Sequence, residues 1–289
     1  MLRALPGDFW RLWFVGTVIS TVRWLETVAV GIVVYQQTGS AFVVAMMTML
    51  RLLPMGLFGA FLGAFAERFD RRLTLAAMLG LMAATSAALS AAAWTGPLDI
   101  WLLALGAFIN GCGWATDNPL RRMMMGEAVG RERMATAMAF DVGAGNASRM
   151  VGPTVGGLLL AGIGLSGAFG LSAALYLVAV AATLAVRTRI AASPGAGAVL
   201  GRTWEAIVIV FSDKRLAATM VVTVIYNVFA WPFTSMIPVI ARDRLLLGPK
   251  GVGILTSFDG IGAFVGALVL AMWLTPGWHA RAYVGGVAV

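Results

Sequence analysis

Six ionisable residues stand inside long apolar stretches of this 289-residue chain: Arg23, Glu26, Arg51, Asp141, Arg149 and Asp259. Burying such a group in hydrocarbon costs at least ~2.5–3.5 kcal/mol on insertion scales, so it normally faces a bundle interior or a watery cavity. Glu26 lies about 16 residues along from Trp10, or ~24 Å into a helix, and Arg51 about 17 residues before Arg68, or ~25 Å. The two groups share a height and can meet. Arg23, three residues before Glu26 on the same face, stands about one turn nearer the N-terminal end, which gives Glu26 two candidate cationic partners. Asp141, Gly145 and Arg149 repeat at four-residue spacing with Asn146 beside them, a stripe suited to a cavity wall. The chemistry open to this set is proton exchange: Glu26, and secondarily Asp141, takes and releases a proton while an arginine competes for the carboxylate. The plainer reading is two neutralised structural pairs, Glu26 with Arg51 and Asp141 with Arg149. Asp259, about 8 residues from the start of its apolar run, is a candidate for gating or substrate contact.

Other chemistries lack their residues. Cys112 is the single cysteine, which excludes an intrachain disulfide and a CxxC redox or zinc motif. The solitary His279 excludes a histidine metal cluster and leaves no nucleophile and base set for a membrane protease or transferase. No GxxxxGK[ST] loop is present, and the GxGxxxG at Gly260 lies inside an apolar run with no strand before it, so neither points to a nucleotide. The expectation is a non-enzyme with no metal and no cofactor, driven by a proton gradient.

The elements that position these groups follow from composition. Hydrophobic residues make up 60% and charged residues 12% of the chain, about half the charge of a soluble domain; the mean hydropathy is +0.88. Eight apolar runs are long enough to span a bilayer as helices, at about 10–35, 42–66, 73–94, 100–118, 134–163, 166–186, 216–240 and 251–274. The loops QQTGS, TGPLD and GIGLSG carry no Lys or Arg, whereas the opposite side collects Arg3, Arg11, Arg68, Arg71, Arg72, Arg121, Arg122, Arg131, Arg133, the basic residues of 187–215 and Arg281; only Arg242, Arg244 and Lys250, after the seventh run, fall on the first side. By the positive-inside rule that side and the N-terminus are cytoplasmic, so the net charge of +8 reads as topology rather than nucleic-acid binding. Arg121 and Arg122 read as topology signals of this kind. The resulting division is a six-helix half at 1–188, a cytoplasmic linker at 189–215 with a short interfacial helix near 203–211, and an incomplete second half at 216–289.

The loop GAFAERFDRRLTL, from Gly63, resembles the signature loop of the major facilitator superfamily, Gly-x-x-x-Asp-Arg-x-Gly-Arg-Arg: Gly63, Arg68, Arg71 and Arg72 match, Glu67 replaces the Asp and Asp70 the second Gly. RLLP at 51–54, DNPLRR at 117–122, NASRMVGPTVGG at 146–157 and GIGAFVGAL at 260–268 resemble the branch of enterobactin and macrolide exporters. The resemblance implies an all-α, polytopic transmembrane bundle of twelve helices, of which about eight are present, the chain ending within a ninth apolar run. It also implies alternating access, with Asp117 paired to Arg71 or Arg72 as a latch on the cytoplasmic gate. The expected protein is a monomeric, proton-coupled exporter of hydrophobic or amphipathic small molecules in the cytoplasmic (inner) membrane. The expected partners are a small-molecule substrate and the bilayer, with no nucleic acid. Import or uniport of an organic solute and a non-transporting scaffold are the alternatives.

Small residues and aromatics add detail. Gly59 and Gly63, Gly152 and Gly156, and Gly262 and Gly266 are spaced for close helix approach. Pro54, Pro153, Pro232 and Pro238 interrupt helices and suit kinks. Trp24, Trp114, Phe140, Tyr226, Phe229, Trp231 and Phe233 are candidates for an apolar cavity lining, with packing in the core as the plainer reading.

Overall fold

A computed structural model describes residues 5–66, 69–187, 208–209, 211–225 and 233–273, the side chains of 57–66, 215, 233–235 and 267–273 excepted. The described elements are α1 (Gly7–Thr38), α2 (Ala41–Ala66), α3 (Arg71–Thr95), α4 (Ile100–Val129), a 3-10 turn (Arg131–Arg133), α5 (Met134–Leu184), α6 (Lys214–Ile225), α7 (Phe233–Asp243) and α8 (Pro249–Trp273). No strand occurs among the described residues, and the fold is an all-α helical bundle.

Local chemistry sets the helix ends. The N–H of Gly39, a residue with φ 60°, donates to the Tyr35 carbonyl and closes α1 in the left-handed conformation that glycine adopts without strain. Asp70 caps α3 by accepting from the Arg72 and Leu73 N–H groups at 2.9 and 3.1 Å, and Asp99 caps α4 by accepting from Trp101 N–H at 3.0 Å. The departure of Asp70 from the signature loop therefore has a structural use. The runs expected at 134–163 and 166–186 form one element broken at Gly164 (φ 69°, ψ −175°), where the chain turns back on itself. α4 continues to Val129, well past the expected boundary at 118, because the charged residues that mark a span end by composition are accommodated inside the helix. The run at 216–240 contains α6 and α7; residues 226–232 between them, with Pro232, and most of the interfacial helix and linker lie outside the described residues.

Two apolar clusters brace the first five helices. One gathers Phe9, Leu12, Ile19, Leu75, Leu79, Leu120, Met124 and Met125 at the end where α1 begins; the other gathers Val34, Val44, Met47, Leu103 and Phe169 at the opposite end. Polar side chains occupy the layer between them. On the outside, Phe42, Leu105, Leu177, Trp94 and Trp101 are exposed, an arrangement that suits lipid, with the two tryptophans flanking one interhelical turn as interfacial anchors. By length and apolarity, Gly7–Thr38, Arg71–Thr95 and Arg131–Leu184 qualify as membrane spans among the described residues.

Glycine decides how closely α5 meets its neighbours. Gly152 and Gly156 abut Trp24 and Leu25 of α1, while Gly157 meets the Pro249 carbonyl and the Gly253 backbone of α8. No described residue comes within 4 Å of a side chain placed at Gly262 or Gly266, so that expected pair makes no close packing here; Gly253 and Gly260 take the role on α8. The surroundings of Gly59 and Gly63 lie outside the described residues. A Gly157→Leu substitution is expected to force α5 from α8 and destabilise the protein by about 1–3 kcal/mol, the usual cost of overpacking. Gly262→Leu, at an open position, should leave thermal stability in detergent, measured by fluorescence-detected size exclusion, close to that of the parent.

Candidate functional site

The polar layer centres on Asn110 of α4, a residue to which the sequence reading gave no role. Its Nδ2 donates to Glu26 Oε2 at 2.7 Å and lies 3.3 Å from the Tyr176 hydroxyl, while its Oδ1 accepts from Arg51 Nη2 at 2.8 Å. Ser86 of α3 donates to the other Glu26 oxygen at 2.7 Å. Arg51 completes its contacts on α1, donating to the Thr27 hydroxyl and to the Arg23 carbonyl at 3.2 Å. Glu26 and Arg51 thus share a layer without a direct ion pair, because Asn110 is interposed between them. Glu26 is 6% and Arg51 9% exposed. The neutral partners Ser86 and Tyr176 carried no sequence signal beyond ordinary helix residues.

A second cluster joins α1, α4 and α5. Arg121 donates Nε to Asp117 at 3.2 Å and Nη1 to Asp141, and Arg122 donates Nε to Asp141 at 3.0 Å. Arg23 Nη2 is 3.8 Å from Asp117, and its guanidinium lies 4.4 Å from the Trp114 ring centroid, within cation–π range. A third contact joins α5 and α8: Arg149 donates to Asp259 at 2.6 and 3.0 Å. Neighbouring it, Thr154 N–H donates to the Ser257 hydroxyl at 3.1 Å.

These placements correct several expectations. Asp141 and Arg149 share a helix face but do not pair with each other: each finds a partner on another helix. Glu26 is not paired to Arg23, whose acid is Asp117. Arg121 is 4% exposed and holds two carboxylates, so it is no mere topology signal; the four-residue spacing from Asp117 was the clue. Arg122 likewise reaches Asp141. The expected latch of Asp117 on Arg71 or Arg72 is absent: Arg71 pairs with Glu127, and Arg72 donates to the Val186 carbonyl at 2.9 Å. The reason is the length of α4, which puts Glu127 at the height of these arginines and Asp117 ~15 Å deeper. Glu67 and Arg68 lie outside the described residues, and so does the setting of Gly63.

A cavity of about 290 Å³ opens beside this layer. Arg23, Trp24, Arg51, Trp114, Asn118, Asp141, Gly145, Asn146 and Arg149 are on its wall, with Pro238 contributed by α7 and Thr256 by α8. A smaller cavity of about 60 Å³ holds Glu26, Ser86 and Asn110, and Thr27 and Arg51 border both spaces. Of the expected aromatic lining, Trp24 and Trp114 reach the larger cavity, whereas Phe140 packs edge-on against Phe9 and Trp10. Tyr226, Phe229 and Trp231 lie outside the described residues, as does the side chain of Phe233. At the far end of α1 the Tyr35 hydroxyl donates to Asp243 of α7, and the Arg242 guanidinium lies 5.6 Å from the Tyr35 ring centroid. Among the described residues no group of three His, Cys, Asp or Glu side chains is placed to hold a metal.

The family model described as transmembrane secretion effector, of the major facilitator type, matches residues 6–275. No curated protein matches the chain.

Asn110 makes the layer a single unit, so its removal is informative. Asn110→Ala is expected to destabilise the protein by about 1–2 kcal/mol, and a double-mutant cycle with Glu26→Gln should return a coupling of at least about 0.5 kcal/mol. Additive losses in detergent unfolding would show that the bridge carries no energy.

Proposed function

The chain belongs to this family of membrane-embedded transporters, and from that premise we propose that it is a secondary exporter that uses the proton gradient to expel amphipathic small molecules by alternating access. Within the family its motifs align it with the enterobactin and macrolide exporters. In this reading the N-terminus and the basic loops face the cytoplasm, and the membrane is the cytoplasmic (inner) one.

The observation that carries the coupling is the pair of adjoining cavities. Glu26 sits in the small one, held by the neutral donors Ser86 and Asn110, and Arg51 stands on the wall between it and the larger space. A carboxyl so placed exchanges its proton without first breaking an ion pair. When Glu26 is charged, Arg51 is drawn towards it; when it is neutral, Arg51 is released to the larger cavity. The proton and the substrate thereby act on the same guanidinium, and each biases the populations of the inward and outward states by its differential affinity. The cross-half contacts that must be remade in such a cycle are Arg149 with Asp259 in the cavity and Tyr35 with Asp243 at the outer end. Asp141, held by two arginines, is the secondary carboxylate of this scheme, and Asp117 positions Arg23 and Arg121.

Export rather than sugar uptake is favoured by the wall itself, which combines arginines and indoles where a sugar site sets many amides on facing helices. The test uses inside-out membrane vesicles loaded by respiration and a panel of fluorescent amphipaths of either charge. Uptake that collapses with a protonophore is expected for the parent protein, and Glu26→Gln should cut the gradient-driven component about a hundredfold or more, the scale of a lost proton-transfer group. Unchanged gradient-driven uptake in Glu26→Gln removes Glu26 as the coupling group, and accumulation only in right-side-out vesicles reverses the direction.

A further inference from the structure

We infer that the molecule carried through the larger cavity is an organic anion with a planar aromatic face, its acidic group seated between Arg23 and Arg51; this rests on the transport reading above. Five arginines line that cavity, Arg23, Arg51, Arg121, Arg122 and Arg149. Among the described residues the carboxylates that answer them are Asp117, Asp141, Asp259 and, from its own chamber, Glu26. The tally leaves one positive charge over when every acid is ionised, and two when Glu26 holds a proton.

Geometry locates the surplus. Asp117 and Asp141 are taken up by Arg121 and Arg122, and Asp259 by Arg149. Arg51 has no ion-pair partner among the described residues, its contacts being the Thr27 hydroxyl, the Arg23 carbonyl and the Asn110 amide oxygen. Arg23 reaches only the far oxygen of Asp117, at 3.8 Å, an acid already engaged by Arg121. The Nε atoms of both Arg23 and Arg51 are buried without a hydrogen-bond partner among the described residues. Arg23 and Arg51 line the same cavity, Arg51 donating to the Arg23 carbonyl, and at such a buried wall poorly paired like charges are costly, so an anion held by both relieves desolvation and repulsion. The planar fork of arginine favours carboxylate, sulfonate or phosphate oxygens.

The aromatic part follows from what flanks those charges. Trp114 lies 4.4 Å from the Arg23 guanidinium and Trp24 5.9 Å from that of Arg149, and both indoles line the cavity. The cavity volume of about 290 Å³ is near the lower bound of roughly 300–1,000 Å³ typical of small-molecule sites. A compact aryl acid fits this description better than a large neutral polyketide or a cation, which would meet the surplus positive charge.

The discriminating probes are three isosteres: naphthalene-2-carboxylate, naphthalene-2-carboxamide and naphthalen-2-ylmethylammonium. Binding to the purified full chain in detergent is measured by calorimetry, and gradient-driven uptake of the same compounds in inside-out vesicles. The carboxylate is expected to bind about tenfold or more tightly than the amide, with the ammonium weakest. Arg51→Gln and Arg23→Gln should each bring the carboxylate and amide close to parity, Arg51→Lys should keep part of the preference, and Arg11→Gln, away from the cavity, should keep all of it. Equal or better binding of the amide or the ammonium to the parent protein overturns the inference without any variant needing to fold. A carboxylate preference that survives in both glutamine variants removes the assignment to Arg23 and Arg51. Gradient-driven uptake of the amide or the ammonium in place of the carboxylate sinks the anion but leaves the transport reading standing. Selective carboxylate binding without uptake of any probe keeps the site and removes the transport reading.

Discussion

The structure depends on how charge is tolerated inside an apolar bundle. A guanidinium or carboxylate cannot be left alone in hydrocarbon, so each one dictates which helices must converge on it. Glu26 requires donors, and receives them from α3 and α4; Arg51 requires acceptors, and finds them on α1 and α4. Those demands fix the rotation of four helices about their own axes, something a uniformly apolar interface in lipid specifies poorly. The apolar clusters on either side then seal the layer. Asn110 is central because its amide presents a donor and an acceptor at once, and so joins a carboxylate to a guanidinium that would otherwise compete for the same space.

A second constraint governs how α5 and α8 meet. Helix association in a membrane gains little from hydrophobic burial and depends on close packing, which is why Gly157 and Gly253 bring α5 and α8 almost backbone to backbone. Such a contact has few side chains to rearrange. The polar groups beside it, Arg149 with Asp259 and Thr154 with Ser257, set its register. In the alternating-access cycle proposed above, a tight glycine seam flanked by an ion pair would serve as a pivot, with the ion pair supplying an energy difference between positions.

Sequence made the bundle legible because hydrophobic length and loop charge are properties of single segments. The helices appear nearly where apolar runs predict them, and the family is carried by motifs spread along most of the chain. The site was legible in its members and not in its pairings. Rise per residue gives the height of a group along its helix, which is why Glu26 and Arg51 were expected in one layer; it says nothing of azimuth, so the intervening Asn110 went unseen. Asp117 shows the other failure. Its partner was misjudged because the end of α4 was read from charge, and a helix that carries its charges into the protein interior has no such compositional boundary. Arg121 was underestimated for the same reason, since an arginine at the apparent edge of a span looks like a topology signal until its two acids are located.

The division of the polar layer into two spaces bears on the coupling proposed above. A substrate that touched the proton-bearing group directly would have to exclude water and protons from it at every turn. Here Glu26 is set apart, and Arg51 and Thr27 form the partition. Communication through a shared guanidinium demands that the partition group be neither locked in an ion pair nor free of Glu26. Arg51 meets both conditions, since its link to the carboxylate passes through an amide that holds it while leaving its charge unspent. In the coupling scheme proposed above, the incompleteness that leaves Arg51 poorly neutralised is what would let it respond, whereas an arginine fully paired to Glu26 would be held by that pair.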